Sequence, residues 1–353
     1  MPKEIEELLK RPSEWLRGAG PVSEIVMSSR IRLARNLEKF PFTTRATKAS
    51  ARDVLAVVKE GISHAARLKH SLLFEMSELD EVDRQFLVER HLVSREHIVH
   101  PDHKAVAIGQ GEVISIMINE EDHLRIQVMQ SGLNLQDAWS LIDGLDDELS
   151  ESIPYAYSTD WGYLTCCLTN TGTGMRASVM VHLPALVMNK QINKVLHAIS
   201  KLGLTARGLY GEGTEAMGNF FQISNQVALG RTEEELVENI ERILKQVIEH
   251  EQSAREGLMT NNRLQLEDRV WRAYGILRHA QTISSNETLD LLSALRLGVD
   301  LGLMKHVDRP SVNELLIASQ PAHLQKLQGS KLSTEERDAK RAALIRKRLG
   351  AHE

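Results

Sequence analysis

The chain has 353 residues, 42% of them hydrophobic and 26% charged, enough for two domains, or one large domain and an extension, around a sizeable buried core. Its 43 basic and 48 acidic residues leave a net charge of −5, which argues against a protein that grips nucleic acid over its whole surface. The basic set is uneven, with 27 Arg to 16 Lys, and composition alone assigns that imbalance to residue bias.

The N-terminal MPKEIEELLKRPSEWL is charged and amphipathic, with no apolar signal core. No run of about 18 apolar residues is present to span a bilayer. Cys166 and Cys167 are adjacent, a placement foreign to a structural disulfide framework and suited to a reducing compartment. These features predict a cytoplasmic protein with no membrane segment.

Residues 3–17 read as a helix stopped by Gly18, Gly20 and Pro21. EIVMSSRIRLARN then alternates: Ile25, Met27, Ser29, Ile31 and Leu33 on one face, Ser28, Arg30 and Arg32 on the other. Helical spacing follows at 47–69 and 78–93. KAVAIG and EVISIMIN predict a hairpin leading into HLRIQVMQ, then a helix at 134–149. YLTCCLTN reads as a strand, the Gly-rich TNTGTG as a turn, and RASVMVHL as a further strand. A helix from Lys190 to Leu202, the segment GLTARGLYGEG and a strand NFFQISNQ complete this part. From Thr232 the pattern is helical, at 232–258, 263–280, 286–301, 311–328 and from 334. Strands therefore fall within the first 230 residues, and a boundary near 255 separates a mixed domain (1–255) from an all-α domain (256–353).

Three constellations invite a chemical reading. Gly172, Gly174 and Ala177 match a dinucleotide-binding spacing, but the strand-like residues that follow cannot supply the helix N-terminus such a site needs. His97, His100 and His103 have a metal-like spacing, yet Pro101 and the polar neighbours predict a surface loop. The third set is Arg30, Arg32, Arg125, Arg176 and Arg207, each beside Gly, Ser or Glu on or next to a predicted strand. Glu121, His123 and Arg125 share one strand parity, opposite to Leu124, Ile126 and Val128. Unpaired Arg on a buried sheet face is costly, so these residues need anionic partners, either carboxylates of the same chain or a bound polyphosphate.

SSRIR, NEEDHLR, CLTNTGTGMRASV and RGLYGEGTE, in this order and spacing, resemble the guanidino (phosphagen) kinase family over about residues 21–250. The resemblance implies an α+β fold: an antiparallel sheet flanked by helices, here followed by the all-α C-terminal domain. It implies that Arg30, Arg32, Arg125, Arg176 and Arg207 hold the phosphates of ATP. Ser28, Ser29 and Ile31, the run Ala177, Ser178, Val179 and Met180, and Gly208, Leu209, Tyr210, Gly211 and Glu212 would line the nucleotide site, with His91 and His123 near the adenosine. Mg²⁺ would arrive with ATP. A guanidinium acceptor has a pKa above 12 and must be oriented and lose a proton during transfer. Glu121 and Glu212 match the family's two glutamates for that task, parity favouring Glu121 over Glu120, and Cys167 matches its reactive cysteine.

Two departures narrow the resemblance. Only 27 residues precede Ser28, where kinases of free guanidino compounds carry a helical domain that closes over the acceptor. A helical extension of about 100 residues stands at the other end. Both resemble the bacterial protein-arginine kinase branch of the family. That branch implies phosphorylation of arginine in unfolded proteins and a heat-shock repressor, links to a Clp unfoldase and protease and to a zinc-binding activator protein, and a homodimer. Ser333 and Glu336 form a capping box, placing Arg337 and Arg341 four residues apart on one helix. RDAKRA, with Arg337, Asp338, Arg341 and Ala342, resembles that branch's phosphoarginine-binding element, which implies activation by product. The other readings are a free-arginine kinase and a non-catalytic phosphoarginine-binding adaptor.

Overall fold

The structure, a computed structural model, describes residues 3–208 and 217–350. Leu209, Tyr210, Gly211 and Glu212 therefore lie outside the described residues. The strands are β1 (Val26–Arg35), β2 (Leu72–Glu75), β3 (Ala105–Ile108), β4 (Ile114–Ile118), β5 (Leu124–Ser131), β6 (Tyr157–Ser158), β7 (Gly162–Tyr163), β8 (Met175–His182), β9 (Leu204–Arg207) and β10 (Phe220–Asn225). The helices are α1 (Lys3–Lys10), α2 (Lys48–His64), α3 (Glu81–Glu89), α4 (Leu135–Ser150), α5 (Pro184–Met188), α6 (Ile192–Lys201), α7 (Glu233–Asn261), α8 (Arg263–His279), α9 (Ser285–Asp300), α10 (Arg309–Ala318), α11 (Pro321–Gln328) and α12 (Thr334–Arg348).

Eight strands form one sheet in the order β2-β3-β4-β5-β1-β8-β10-β9, and every neighbouring pair is antiparallel. The alternation in β1 explains its central place. Ile31 and Leu33 join Ile126, Val128, Ala177 and Val179 in the buried core, against which α4 and α7 pack. The opposite face carries Arg30 and Arg32, neither of them fully buried. One strand thus separates an oily face that holds the fold from a charged face free for chemistry.

α7 begins at a Thr232–Glu235 capping box and runs 29 residues, without a break at residue 255. The core is likewise continuous, joining sheet residues to Leu292, Leu315 and Ile345. Arg296 on α9 ties the regions together: it donates to the Ser23 and Glu24 carbonyls and to Asn313 Oδ1 (2.6, 3.2 and 3.0 Å). Asn313 in turn donates to the Leu16 carbonyl.

Several segments differ from their predicted form. The expected 311–328 helix is two helices, because Pro321 opens α11 and Gln320 before it is extended, as a residue preceding proline prefers. Of the predicted strand YLTCCLTN only Tyr163, the end of β7, lies in a strand. Beyond it, side chains replace the ladder: Asp122 Oδ1 accepts from the Cys166 N–H, and Thr165 Oγ1 donates to the Cys167 carbonyl. In the HIVHPDH loop, His97 is buried with Nε2 against the Ala105 carbonyl at 3.0 Å, so it is not a surface residue. Among the described residues no helix is long and apolar enough to cross a membrane.

Candidate active site

Strand register brings the five arginines onto one face. Arg32 stands opposite Arg176 on β8 and Gln127 on β5, and Arg30 opposite Ser178 and Met129. Arg125 lies two residues before Gln127 on the same face. Arg207 is opposite Gln222, itself opposite Met180, which is opposite Ser28. Like charges directly across a ladder repel, and Arg32 Nε is buried with no hydrogen-bond partner among the described residues. Burial, then Arg176 and Arg125, pull the Arg30 guanidinium down to about 10. Burial, then Arg30, Arg125 and Arg176, pull Arg32 well below its ordinary value, against Glu120. A guanidinium keeps its proton, so what these shifts describe is positive potential that a polyanion would neutralise.

The remaining predicted nucleotide residues divide by parity. Ser28, Ser178 and Met180 share the arginine face. Ser29, Ile31, Ala177 and Val179 point into the core, where Ser29 Oγ donates to the Gly132 carbonyl, so only their backbone can serve a ligand. Gly208 follows β9 in an isolated bridge.

A small cavity lies beside the arginines, lined by Ser28, Arg30, Ser178, Met180, His91, Trp15, Met129 and Gln222. His91 takes φ +60° in the turn after α3, a left-handed backbone that histidine adopts more readily than most non-glycine residues. Its carbonyl accepts from Gln127 Nε2, and its ring meets Trp15 edge-on at 5.2 Å. Burial, then Arg30 and Arg95, lowers His91 to about 3, so it is neutral. His123 sits elsewhere, in a bend before β5: Nδ1 accepts from the Leu37 N–H at 3.0 Å and Nε2 lies 3.1 Å from the Pro41 carbonyl. It holds the 37–41 loop.

Glu121 and His123 precede the strand, which begins at Leu124, so the parity argument for Glu121 does not apply. Burial and bonding separate the two glutamates instead. Glu120 is buried and accepts from Ser94 Oγ, from the Glu121 N–H and from Arg125. Burial works to raise its carboxyl, but Arg125 and these hydrogen bonds outweigh it and hold it below the ordinary value. Glu121 is 43% exposed and pairs with Arg125 at 2.7 Å, leaving it accessible to an acceptor. Asp122, fully buried, accepts from Asn36 and from the Cys166 N–H. Thr43 Oγ1 contacts both the Glu121 carbonyl and, at 3.5 Å, Cys166 Sγ. The acidic bend and the cysteine loop are therefore one unit, and Cys167, with Sγ 3.1 Å from Thr169 Oγ1, is half-exposed on it.

The C-terminal set is built differently from a solvated basic face. Arg341 is buried and donates to the Ser319 and Ile283 carbonyls, both at 2.8 Å, and to Asp338. Arg337 is half-exposed and donates to the Leu332 carbonyl and Thr334. Ala342 is buried beside Arg341.

Trp15, Met129 and Gln222 in the cavity, and Thr43 and Asp122 at the acidic bend, escape a sequence reading. Only the acidic NEED run carried a signal, for Asp122. The others come into place through tertiary packing.

The sequence model of the ATP:guanido phosphotransferase C-terminal catalytic domain matches residues 53–254. The chain belongs to this family of phosphotransferases. A second model, the protein-arginine kinase McsB C-terminal domain, matches residues 263–353. Among relatives, the chain is 50% identical to a protein-arginine kinase of Halothermothrix orenii over 96% of this chain and 97% of that one. It is 48% identical to that of Desulforamulus reducens, covering 98% of each. Among solved structures it is similar to a duplicated taurocyamine kinase of Schistosoma mansoni with bound transition state analog components. The TM-score is 0.61 and the identity 29%, over 69% of this chain and 35% of that one. A lombricine kinase gives a TM-score of 0.59 and 25% identity, over 72% and 76%.

Proposed function

We propose that this protein transfers the terminal phosphoryl group of ATP to arginine side chains of proteins. One observation carries the reading: five arginines on one sheet face, two of them opposed like charges, beside an exposed glutamate tied to a cysteine loop, in a chain matched end to end by relatives named for protein-arginine phosphorylation. The arginines would neutralise the phosphates as charge spreads in transfer. Glu121, with Glu212, would grip the planar acceptor and take its proton, and the Cys167 sulfur would stabilise its charge. Mg²⁺ would arrive with ATP, held mainly by phosphate oxygens and water.

On this reading residues 1–255 are the catalytic unit and 256–353 a sensing and dimerising unit of a cytoplasmic quality-control enzyme. It would mark clients for a Clp protease, act on a heat-shock repressor and answer to a zinc-binding activator. Phosphoarginine at Arg337, Asp338 and Arg341 would have to draw Arg341 from Asp338 while the Ser319 and Ile283 carbonyls keep it in place. Incubation with Mg-ATP and an unfolded protein, followed by mass spectrometry at non-acidic pH, tests the activity. Phosphoarginine appears with the wild type and vanishes with Glu121→Gln. Label on Ser or Thr alone, or turnover of free arginine with no protein label, overturns it. Arg337→Ala should remove activation by added phosphoarginine and leave unstimulated turnover in place.

A further inference from the structure

Five of the large apolar side chains that the described residues expose cluster around the cysteine loop: Tyr157, Trp161, Leu168, Val227 and Leu229. Leu168 is 84% exposed and follows Cys167 directly; Trp161 is 58% exposed. Backbone contacts bring the segments that carry them together. Trp161 sits in the turn joining β6 to β7, whose Tyr163 bridges to Gly172. A Cβ on Gly162 would lie 2.4 Å from the Gly172 carbonyl oxygen, and one on Gly172 2.9 Å from Leu229 Cα. The hairpin, the end of the cysteine loop and the 227–229 segment therefore abut.

The underside of this surface is fixed. The buried Arg35 guanidinium lies 3.4 Å from the centre of the Tyr163 ring and donates to Asp146 and to the Thr173 carbonyl. Tyr163 in turn meets Tyr157 edge-on at 5.3 Å. An exposed tryptophan on an anchored hairpin presents a rigid apolar platform at little entropic cost, the kind of residue that carries binding energy. Acidic groups outnumber basic ones beside it, which suits a cationic visitor. Asp146 is taken up by Arg35, but Glu233 also acts on Tyr163. Burial, then Asp147, Asp146 and Glu234, raise Asp143 against the pull of Arg35.

We infer that this platform binds the apolar residues flanking the acceptor arginine in an unfolded polypeptide, selecting exposed-core segments as substrates. The inference rests on the protein-arginine reading above and assigns its substrate preference to Trp161 and Leu168. Two peptides of equal length and charge test it, one with Leu and Phe on both sides of a single arginine, the other with Gly and Ser. Wild type should phosphorylate the apolar peptide with kcat/KM higher by about tenfold, mainly through KM, as removal of a few contacts from an apolar pocket predicts. Trp161→Ala with Leu168→Ser should bring the ratio near one, whereas Leu264→Ser, an equally exposed leucine on α8, should leave it. A wild type with no preference, or a double variant that keeps it, overturns the inference. A double variant that turns a dimer into a monomer also does so, since the platform then contacts a second copy. Absence of phosphoarginine on both peptides with wild type is a separate pattern, which removes the protein-arginine reading and this inference with it.

Discussion

Two sets of arginines in this molecule have the same electrostatic discomfort and opposite meanings. Arg30 on the sheet face and Arg296 on α9 are each pulled to about 10, mainly by burial. Around Arg296 the chain supplies acceptors on several sides, two carbonyls, Asn313 and His182 Nδ1 at 2.9 Å, with Asp300 as an ion-pair neighbour at 3.3 Å. Asp300 also accepts from Arg309. On the sheet face Arg32 confronts Arg176, and its Nε is left without a partner among the described residues. Hydrogen bonds, more than charge or depth, separate a structural arginine from one that waits for a ligand.

The comparison breaks if the two sets respond alike to truncation. Arg296→Ala should cost about 3–5 kcal/mol of stability, because the Ser23 and Glu24 carbonyls and Asn313 lose their donor and buried Asp300 loses one of its cationic neighbours. Denaturant unfolding reads this as a lowered midpoint. Arg32→Ala should do the reverse: kcat/KM falls by about 10²–10³-fold, the scale of losing one transition-state donor, while the melting temperature holds or rises as the repulsion with Arg176 is removed. A destabilised Arg32→Ala protein with near-normal turnover would place Arg32 among the structural arginines.

Acid sharpens the contrast by a smaller amount. His91 beneath the arginine face and His182 in the Arg296 network are both pushed below the ordinary histidine value, first by burial and then by nearby arginines. The unfolded chain takes up these protons near pH 6.5 and the folded one does not, so stability is full above that pH and lost as pH falls through it. Each histidine should remove about 1.4 kcal/mol per pH unit below 6.5, and His182→Gln should flatten that part of the pH dependence of unfolding. At the small end, Ser333→Ala removes the N-cap of α12 and should cost about 1 kcal/mol in thermal unfolding.

How far the sequence reaches is clearest in β1. Its alternation is a property of seven consecutive residues, Met27 to Leu33, and it already separates Ile31 and Leu33 from Arg30 and Arg32. Periodicity carries the long helices for the same reason. The cysteine loop reads as a strand because Leu, Thr and Cys suit one, yet its backbone bonds go to Asp122 and Thr165, partners that no local pattern reveals. Glu121 illustrates the same limit. A residue of the right type was visible, but its accessibility depends on Glu120 being consumed by Ser94 and Arg125. Trp15, more than 70 residues from His91, reaches the cavity only through the packing of its short helical turn on β1 and β5.

The opposed Arg32 and Arg176 have a consequence beyond the reaction they would serve. A polyphosphate seated between them binds the folded chain and not the unfolded one, so at a hundred times its Kd it adds about 2.7 kcal/mol to stability by mass action. The melting temperature should therefore climb with ATP concentration, and less so in Arg32→Ala. A cell short of ATP would then withdraw support from the folded enzyme as well as fuel from its reaction, and nucleotide supply would govern how much of the protein survives.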